Sequence, residues 1–320
     1  MIVALAGGVG GAKLADGLTC LFGRELSVIV NTGDDFEHLG LHISPDLDTV
    51  MYTLAGIANP ATGWGVADES WSFLQQTARL GGPDWFRLGD RDLATHVLRT
   101  ERLRRGERLT SITHDFCREL GIAACILPMS DQPIRTIVET TEGALPFQEY
   151  FVARRCAVPV RGFHFEGSAQ AQMTIEVRER LSGADLEAII ICPSNPYISV
   201  DPILSVPGLR QLIEDRPVPV VAVSPIIGDA AVKGPAAKMM RELGFDVSAK
   251  SIAAHYRGLV DGLVIDVTDT TLKPAIEAMG MQVRVVATLM RSPEDRRALG
   301  KVCVEFARAL IEEKRLGSVS

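Results

Sequence analysis

The chain has no excess of basic residues. Its formal net charge is −7, which argues against a nonspecific nucleic-acid binder, whose domain carries a basic face. Its six cysteines form no C-x-x-C pair and no metal-finger spacing. Free thiols in a reducing cytosol therefore fit better than disulfides. No apolar segment approaches the roughly 20 residues that span a bilayer. The N-terminus is apolar but lacks a basic n-region, and glycine breaks the run early, so a core strand is expected and not a signal peptide. Internal repeats and low-complexity segments are absent as well. What is left is 320 residues, 47% of them hydrophobic, enough for one large α/β domain or two smaller ones. With this charge balance, anionic substrates need local basic groups and metal.

The most informative stretch opens the chain. Ile2–Ala6 is apolar, Gly7-Gly8-Val9-Gly10-Gly11 interrupts it, and Leu14, Leu18 and Leu21 follow at helical spacing. Strand, glycine loop and helix bring backbone N–H groups and a helix N-terminus together, a cradle for phosphate. Two standard patterns are missing. A dinucleotide fingerprint needs a third glycine where Lys13 stands, and a Walker loop needs a final glycine and a hydroxyl where Ala12 and Leu14 stand. The loop is thus a phosphate cradle of neither standard kind, or else a glycine-rich turn.

Leu26–Val30 reads as the second parallel strand and ends in Asn31-Thr-Gly-Asp34-Asp35. Ligands of open parallel sheets bind beyond the carboxyl ends of strands, so the glycine loop and Asn31–Asp35 share one rim. Ser44-Pro-Asp46-Leu-Asp48 opens a helix, and both aspartates suit capping and the helix dipole. Asp34, Asp35 and Asp48 on one rim would repel unless a cation sits among them, and magnesium takes one or two carboxylates plus phosphate oxygens.

Residues 64–121 read as a helical insertion. Asp68–Leu80 looks helical. Trp85-Phe86-Arg87-Leu-Gly-Asp90-Arg91-Asp92-Leu-Ala-Thr-His96 crowds charge onto a loop-to-helix junction, as a salt-bridged helix start would also do. The helix continues with a basic face over Leu98–Gly106, and another runs over Thr110–Gly121. Ile134–Thr140 and Phe147–Ala153 alternate like the strands of an antiparallel hairpin, which Val160–Phe165 extends. Met173–Leu181 leans to helix. Ala188–Ile191 and Val218–Val223 are buried parallel strands, ending in Pro193-Ser194-Asn195-Pro196 and Ser224-Pro225. A helix opens at Lys233-Gly-Pro, Gly262–Val267 and Gln282–Ala287 are further strands, and a capped helix closes the chain. The alternation marks an α/β, Rossmann-like, doubly wound and mostly parallel sheet, with residues 1–63 and 122–320 as core.

In order along the chain, Gly7-Gly-Val-Gly-Gly-Ala-Lys13, Asn31-Thr-Gly-Asp-Asp35, Ser44-Pro-Asp-Leu-Asp-Thr-Val50, Leu88–His96, Leu127-Pro-Met-Ser-Asp131, Phe147-Gln-Glu149, Pro193-Ser-Asn-Pro196 and Val223–Gly228 resemble the CofD/FbiA family, the 2-phospho-L-lactate transferases of coenzyme F420 biosynthesis. The resemblance implies transfer of a phospho-acid from a GMP-capped diphosphate donor to the deazaflavin Fo. The terminal ribityl hydroxyl of Fo attacks, GMP leaves, and F420-0 or its dehydro form results, with Mg2+ required. The acid stays open among lactate, enolpyruvate and glycerate.

The resemblance carries roles onto particular positions. Gly8, Gly10, Gly11 and Lys13 are expected at the donor phosphates, and Asn31, Ser194, Asn195 and Ser224 on the guanosine-diphosphate side. Asp34 and Asp48 are expected to hold magnesium. Asp48 and Arg87 correspond to positions that contact Fo and carry the chemistry, and Trp85 joins them as a stacking surface or as core. Asp48→Ala should abolish turnover with the fold intact. A cytoplasmic homodimer with small-molecule substrates, and no nucleic-acid or membrane partner, completes the expectation. Two rivals differ in class. A nucleotide-sugar-binding regulator of the gluconeogenesis-factor type would be expected to lack the Trp85–His96 block. An NAD(P) oxidoreductase would need the missing glycine, and an acid where Asn31 stands.

Overall fold

The computed structural model describes residues 1–317 apart from Lys233. The first half of the chain runs β1 (Ile2–Ala6), α1 (Gly8–Phe22), β2 (Leu26–Val30), a small hairpin of β3 (Phe36–His38) and β4 (Leu41–Ile43), then α2 (Pro45–Leu54), α3 (Ser72–Arg79), α4 (Asp90–Arg104), α5 (Leu109–Glu119) and β5 (Cys125–Pro128). Next come β6 (Arg135–Thr140), β7 (Gly143–Pro146), β8 (Val160–Glu166), α6 (Ile175–Ser182), β9 (Ala188–Ile191), α7 (Asp201–Leu204), α8 (Leu209–Glu214) and β10 (Val220–Val223). The remainder is β11 (Ile226–Ile227), β12 (Ala230–Ala231), α9 (Ala236–Glu242), α10 (Ala249–His255), β13 (Gly262–Asp266), α11 (Lys273–Glu277), β14 (Gln282–Val286) and α12 (Pro293–Gly317).

Seven strands form one parallel sheet in the order β14-β13-β10-β9-β1-β2-β5. The fold is mixed α/β. Continuous aliphatic runs suit strands covered on both faces, and successive side chains divide between two cores. Val3, Leu5, Ile29, Ile189 and Ile191 enter one, while Ile2, Ala4, Val28, Val30 and Ile190 enter the other. Burying each such valine, leucine or isoleucine side chain contributes about 1.5–3 kcal/mol.

Strand β1 sits between β2 and β9. The chain leaves β1 toward β2 and β5, then returns on the other side of β1 as β9. A crevice opens at such a reversal, beyond the carboxyl ends, and it puts Gly7 beside Ser194. The Ser194 hydroxyl accepts from Gly7 N–H at 3.1 Å and donates to Gly7 O at 2.9 Å. Helix α1 is held down by α12, whose backbone passes so close at Arg296 that a side chain on Gly17 would overlap its carbonyl.

Three features differ from the sequence expectation. Phe147–Ala153 is not a strand. The partner of β6 is β7, with β8 on the other edge, and residues Glu149–Ala153 form a π-helical turn. The run is rich in aromatic and branched residues, but Phe147 and Phe151 are four apart and stack at 5.4 Å, which a coiled turn permits and a strand forbids. The β3–β4 hairpin was not legible. Its turn, Leu39-Gly40, takes positive φ at both residues (53° and 72°), a conformation that leucine does not announce. The helix expected from Lys233 begins at Ala236, and Lys233 itself lies outside the described residues. Among the described residues, no helix is long and apolar enough to cross a membrane.

Candidate active site

A cavity of about 800 Å³ opens at the carboxyl edge of the sheet. Three parts of the chain wall it. The first is the glycine loop with the 193–199 segment. Gly8, Gly10, Lys13, Ser194, Asn195 and Ser224 all line it. Gly11 stands one layer back, where a Cβ would come within 2.5 Å of Ser194 Oγ. A Cβ on Gly10 would overlap the carbonyl of Pro193. These glycines are thus required by the close approach of two rim loops. Lys13 Nζ donates to the Met290 carbonyl at 2.9 Å, which draws the loop after β14 to the same wall. Asn195 caps the following turn by accepting from Tyr197 N–H at 3.0 Å. Ser224 accepts from Ile226 N–H at 3.1 Å.

The second part is a carboxylate cluster organised by Asn31, which is buried behind the cavity surface. Its amide donates to Asp46 Oδ2 at 2.9 Å, Asp34 Oδ1 at 3.2 Å and the Ile198 carbonyl at 3.2 Å. Its own carbonyl accepts from Gly33 N–H at 2.8 Å. Asp46 also accepts from Gly8 N–H, the first amide of α1, at 2.6 Å. Gln148 donates to Asp34 Oδ2 at 3.0 Å. Asn31, Gln148 and Gly8, which donate to Asp34 and Asp46, are neutral. Burial pushes the Asp46 carboxyl up to about 6. Burial, then the charges of Asp46 and Asp35, drive Asp34 well above the usual carboxylate range. Burial, with repulsion between the neighbouring carboxylates, thus outweighs these neutral donors. Asp35 is tied differently, accepting from Ser44 at 2.8 Å and contacting His42 at 3.1 Å.

The third part joins α2 to the insertion. Asp48 lines the cavity and is gripped by Arg99, whose Nη1 donates to Oδ2 at 3.0 Å while Nη2 holds Oδ1. Arg99 is 1% exposed. Burial alone would lower its affinity for the proton, but Asp48 outweighs burial and keeps it firmly cationic. Trp85 and Phe86 line the cavity and also pack on Phe36, at 5.9 and 4.8 Å between ring centroids. Trp85 meets His38 edge-on at 5.1 Å. They therefore serve as core and cavity wall at once. Arg87 reaches the cavity with its guanidinium 4.3 Å from the centre of the Trp71 ring, a cation–π contact that holds an otherwise flexible side chain.

The family described as 2-phospho-L-lactate transferase CofD matches residues 2–295. The chain belongs to the CofD family. It is 41% identical over 313 residues to the phosphoenolpyruvate transferase of Streptomyces griseus, covering 96% of this chain and 98% of that protein. It is 39% identical over 305 residues to the 2-phospho-L-lactate transferase of Methanosarcina mazei, covering 95% and 99%. A solved structure of a UPF0052-family protein from Bacillus halodurans superposes with a TM-score of 0.62 at 15% identity, over 95% of this chain and 98% of that one, a likeness of fold alone. Membership makes this CofD-family chain an enzyme of the transferase class acting on phospho-acids.

Arg99, Tyr52 and Gln148 are not among the site residues that the sequence points to. For Arg99 a signal was present. Asp92, His96 and Arg99 are spaced four and three apart on α4, so they share a face. That face is the buried one. A polar stripe facing inward is the opposite of an ordinary surface helix. Gln148 sits in the Phe147-Gln-Glu149 block, but its contact with Asp34 depends on where β6–β8 folds back.

Proposed function

We propose that this CofD-family enzyme moves a phospho-acid from a guanylated diphosphate donor to the deazaflavin Fo, releasing GMP and forming F420-0 or dehydro-F420-0. What carries the reading is that one cavity is walled by a glycine loop with Lys13, a carboxylate cluster, and an aromatic wall with Arg87. These are the three needs of the reaction, namely a phosphate cradle, charge handling at the reacting oxygens, and a stacking surface for a flat ring. Phosphoryl transfer depends chiefly on positioning and charge neutralisation.

In this reading, Gly8, Gly10 and Lys13 hold the donor phosphates, with Gly11 and Asn31 keeping the loop closed behind them. Ser194, Asn195 and Ser224 line the guanosine side. Asp48 accepts a hydrogen bond from the attacking ribityl hydroxyl, and Trp85 and Arg87 orient the deazaflavin. The fold would be the doubly wound Rossmann-like arrangement, working in the cytoplasm as a homodimer.

Magnesium fits the carboxylate cluster. The N–H groups of Asn31, Gln148 and Gly8 that donate to Asp34 and Asp46 are neutral, and burial raises both carboxyls, so a cation would stabilise their ionised forms. Asp34 and Asp48 are the proposed holders, Asp34 with the larger unmet charge because Arg99 already offsets Asp48. When bound, the ion would neutralise charge on the donor phosphates.

The donor acid is not chosen by similarity, because a phosphoenolpyruvate transferase and a 2-phospho-L-lactate transferase are 41% and 39% identical to the chain. The test is incubation with Fo, magnesium and each guanylated donor separately, following GMP and the product mass. GMP with the F420-0 or dehydro-F420-0 mass is expected from one of them. No product with any donor, while guanosine nucleotide still binds, would replace the transferase reading with a binding regulator.

A further inference from the structure

We infer that Arg99 is a positioning residue that fixes the orientation of the Asp48 carboxylate toward the acceptor hydroxyl, an inference that rests on the acceptor role proposed above for Asp48. Arg99 does not line the cavity. It stands behind a residue that does, and both of its terminal nitrogens go to the two oxygens of that one carboxylate. A planar guanidinium paired in this way sets the plane of its partner, which a lysine cannot do.

The pair belongs to a larger ring between two helices. On α2, Asp48 and Tyr52 lie one turn apart. On α4, Arg99, His96 and Asp92 lie on successive turns. Arg99 Nη1 is 3.4 Å from His96 Nδ1, His96 Nε2 is 3.1 Å from Asp92 Oδ1, and Tyr52 donates to that same Oδ1 at 2.7 Å. Asp48, Tyr52, Asp92 and His96 all line the cavity. A merely structural join between α2 and α4 would not need this chemistry, since a packed apolar pair is commonly as stable as a buried ion pair. Burying a full guanidinium behind one wall residue makes sense if that residue must present its free lone pairs in a set direction. The same ring registers α4, and the aromatic wall that precedes it, against α2. A shift of about 1 Å between acceptor and donor costs on the order of 100-fold in rate.

The experiment compares Arg99→Lys, Arg99→Gln, Asp48→Asn and the double variant Arg99→Lys/Asp48→Asn with the wild type. Readouts are circular dichroism for the fold, binding of the deazaflavin by its own fluorescence, binding of guanosine nucleotide, and kcat and KM. Wild-type turnover with some donor tests the proposed function, and the ratios among variants test Arg99. Expected for Arg99→Lys is a folded protein with guanosine-nucleotide binding unchanged, kcat reduced about 10- to 100-fold, and deazaflavin binding weakened as much as in Asp48→Asn. Adding Arg99→Lys to Asp48→Asn should then cost nothing further. Arg99→Gln keeps one donor to Asp48 and must show the same pattern if lysine disturbs the fold. Wild-type kcat in a folded Arg99 variant, or losses that multiply in the double variant, would overturn the inference.

Discussion

Gln148 donates its side-chain amide to Asp34 at 3.0 Å, joining positions 114 residues apart in the chain. Asp34 belongs to the rim beyond β2, and Gln148 begins the turn beyond β7. This bond ties the small antiparallel sheet to the edge of the large one and closes one side of the cavity. Replacing Gln148 by alanine strips a buried carboxylate of a donor, which costs about 1–3 kcal/mol. A lower urea midpoint and a raised KM for the acceptor are expected. Gln148→Glu should lose more, because it adds a further carboxylate to the cluster of Asp34, Asp35 and Asp46, and magnesium should recover part of the loss. An unchanged midpoint for both variants would show that the bond does not form in solution.

Asp48→Ala is a poorer probe than the sequence suggested. It leaves Arg99 buried without its counter-charge, and breaking a buried pair from one side costs about 3–5 kcal/mol. The expected outcome is a destabilised as well as inactive protein. Asp48→Asn also removes the counter-charge, but its amide oxygen still accepts from Arg99, so a smaller loss of stability is expected, with turnover lowered by at least about 100-fold. Thermal melting beside GMP release separates the two effects. Equal melting temperatures for Asp48→Ala and the wild type would mean that Arg99 finds another partner.

Gly10→Ala tests the glycine loop without touching charge. The new methyl would overlap the Pro193 carbonyl, so the two rim loops must part. A loss of about 1–3 kcal/mol and weaker guanosine-nucleotide binding are expected, with deazaflavin binding much less affected. Isothermal titration with each ligand reads this directly, and equal losses for both ligands would contradict the division of the cavity into two sides.

The metal-free protein should show a pH dependence from Asp46. The carboxyl is raised from 3.8 to about 6 by burial. Below about pH 3.8 it is protonated in both folded and unfolded chains. Between 3.8 and about 6 the folded chain alone holds the proton, so stability falls as pH rises through that window and levels off above it. The change is about 3 kcal/mol. Other carboxylates titrate over the same range, so the measurement is the difference between wild type and Asp46→Asn in urea midpoint at pH 4.5 and pH 7.5, in the presence of chelator. A pH-independent difference would be inconsistent with a raised carboxyl.

Local pattern reached most of the parallel sheet because each strand is covered on both faces and reads as an aliphatic run. It reached the rim because polar residues follow each run: Gly7, Asn31, Cys192-Pro193-Ser194 and Ser224. It did not reach residues whose role depends on a distant partner. Asn31 reads alone as a rim polar residue, yet it is buried under Asp34 and Asp46. Trp85 and Phe86 could be core or cavity wall, and they are both, because Phe36 and His38 of an unforeseen hairpin back them. Phe147–Ala153 read as a strand since composition favours one, but stacking of Phe147 on Phe151 selects a coiled turn.

By itself the sequence determined the α/β class, the order of the central elements, the phosphate-cradle chemistry of Gly7–Lys13 and the family. Each of these rests on neighbours along the chain, through hydrophobic period, glycine conformation and helix start. Tertiary structure alone decided which groups each carboxylate meets. Asp34 and Asp48 look alike in sequence, as acids beside a strand or helix end. Folding placed the cation of Arg99 against Asp48 and the neutral amides of Asn31 and Gln148 against Asp34, and the charge state of a buried acid is set by what surrounds it in space.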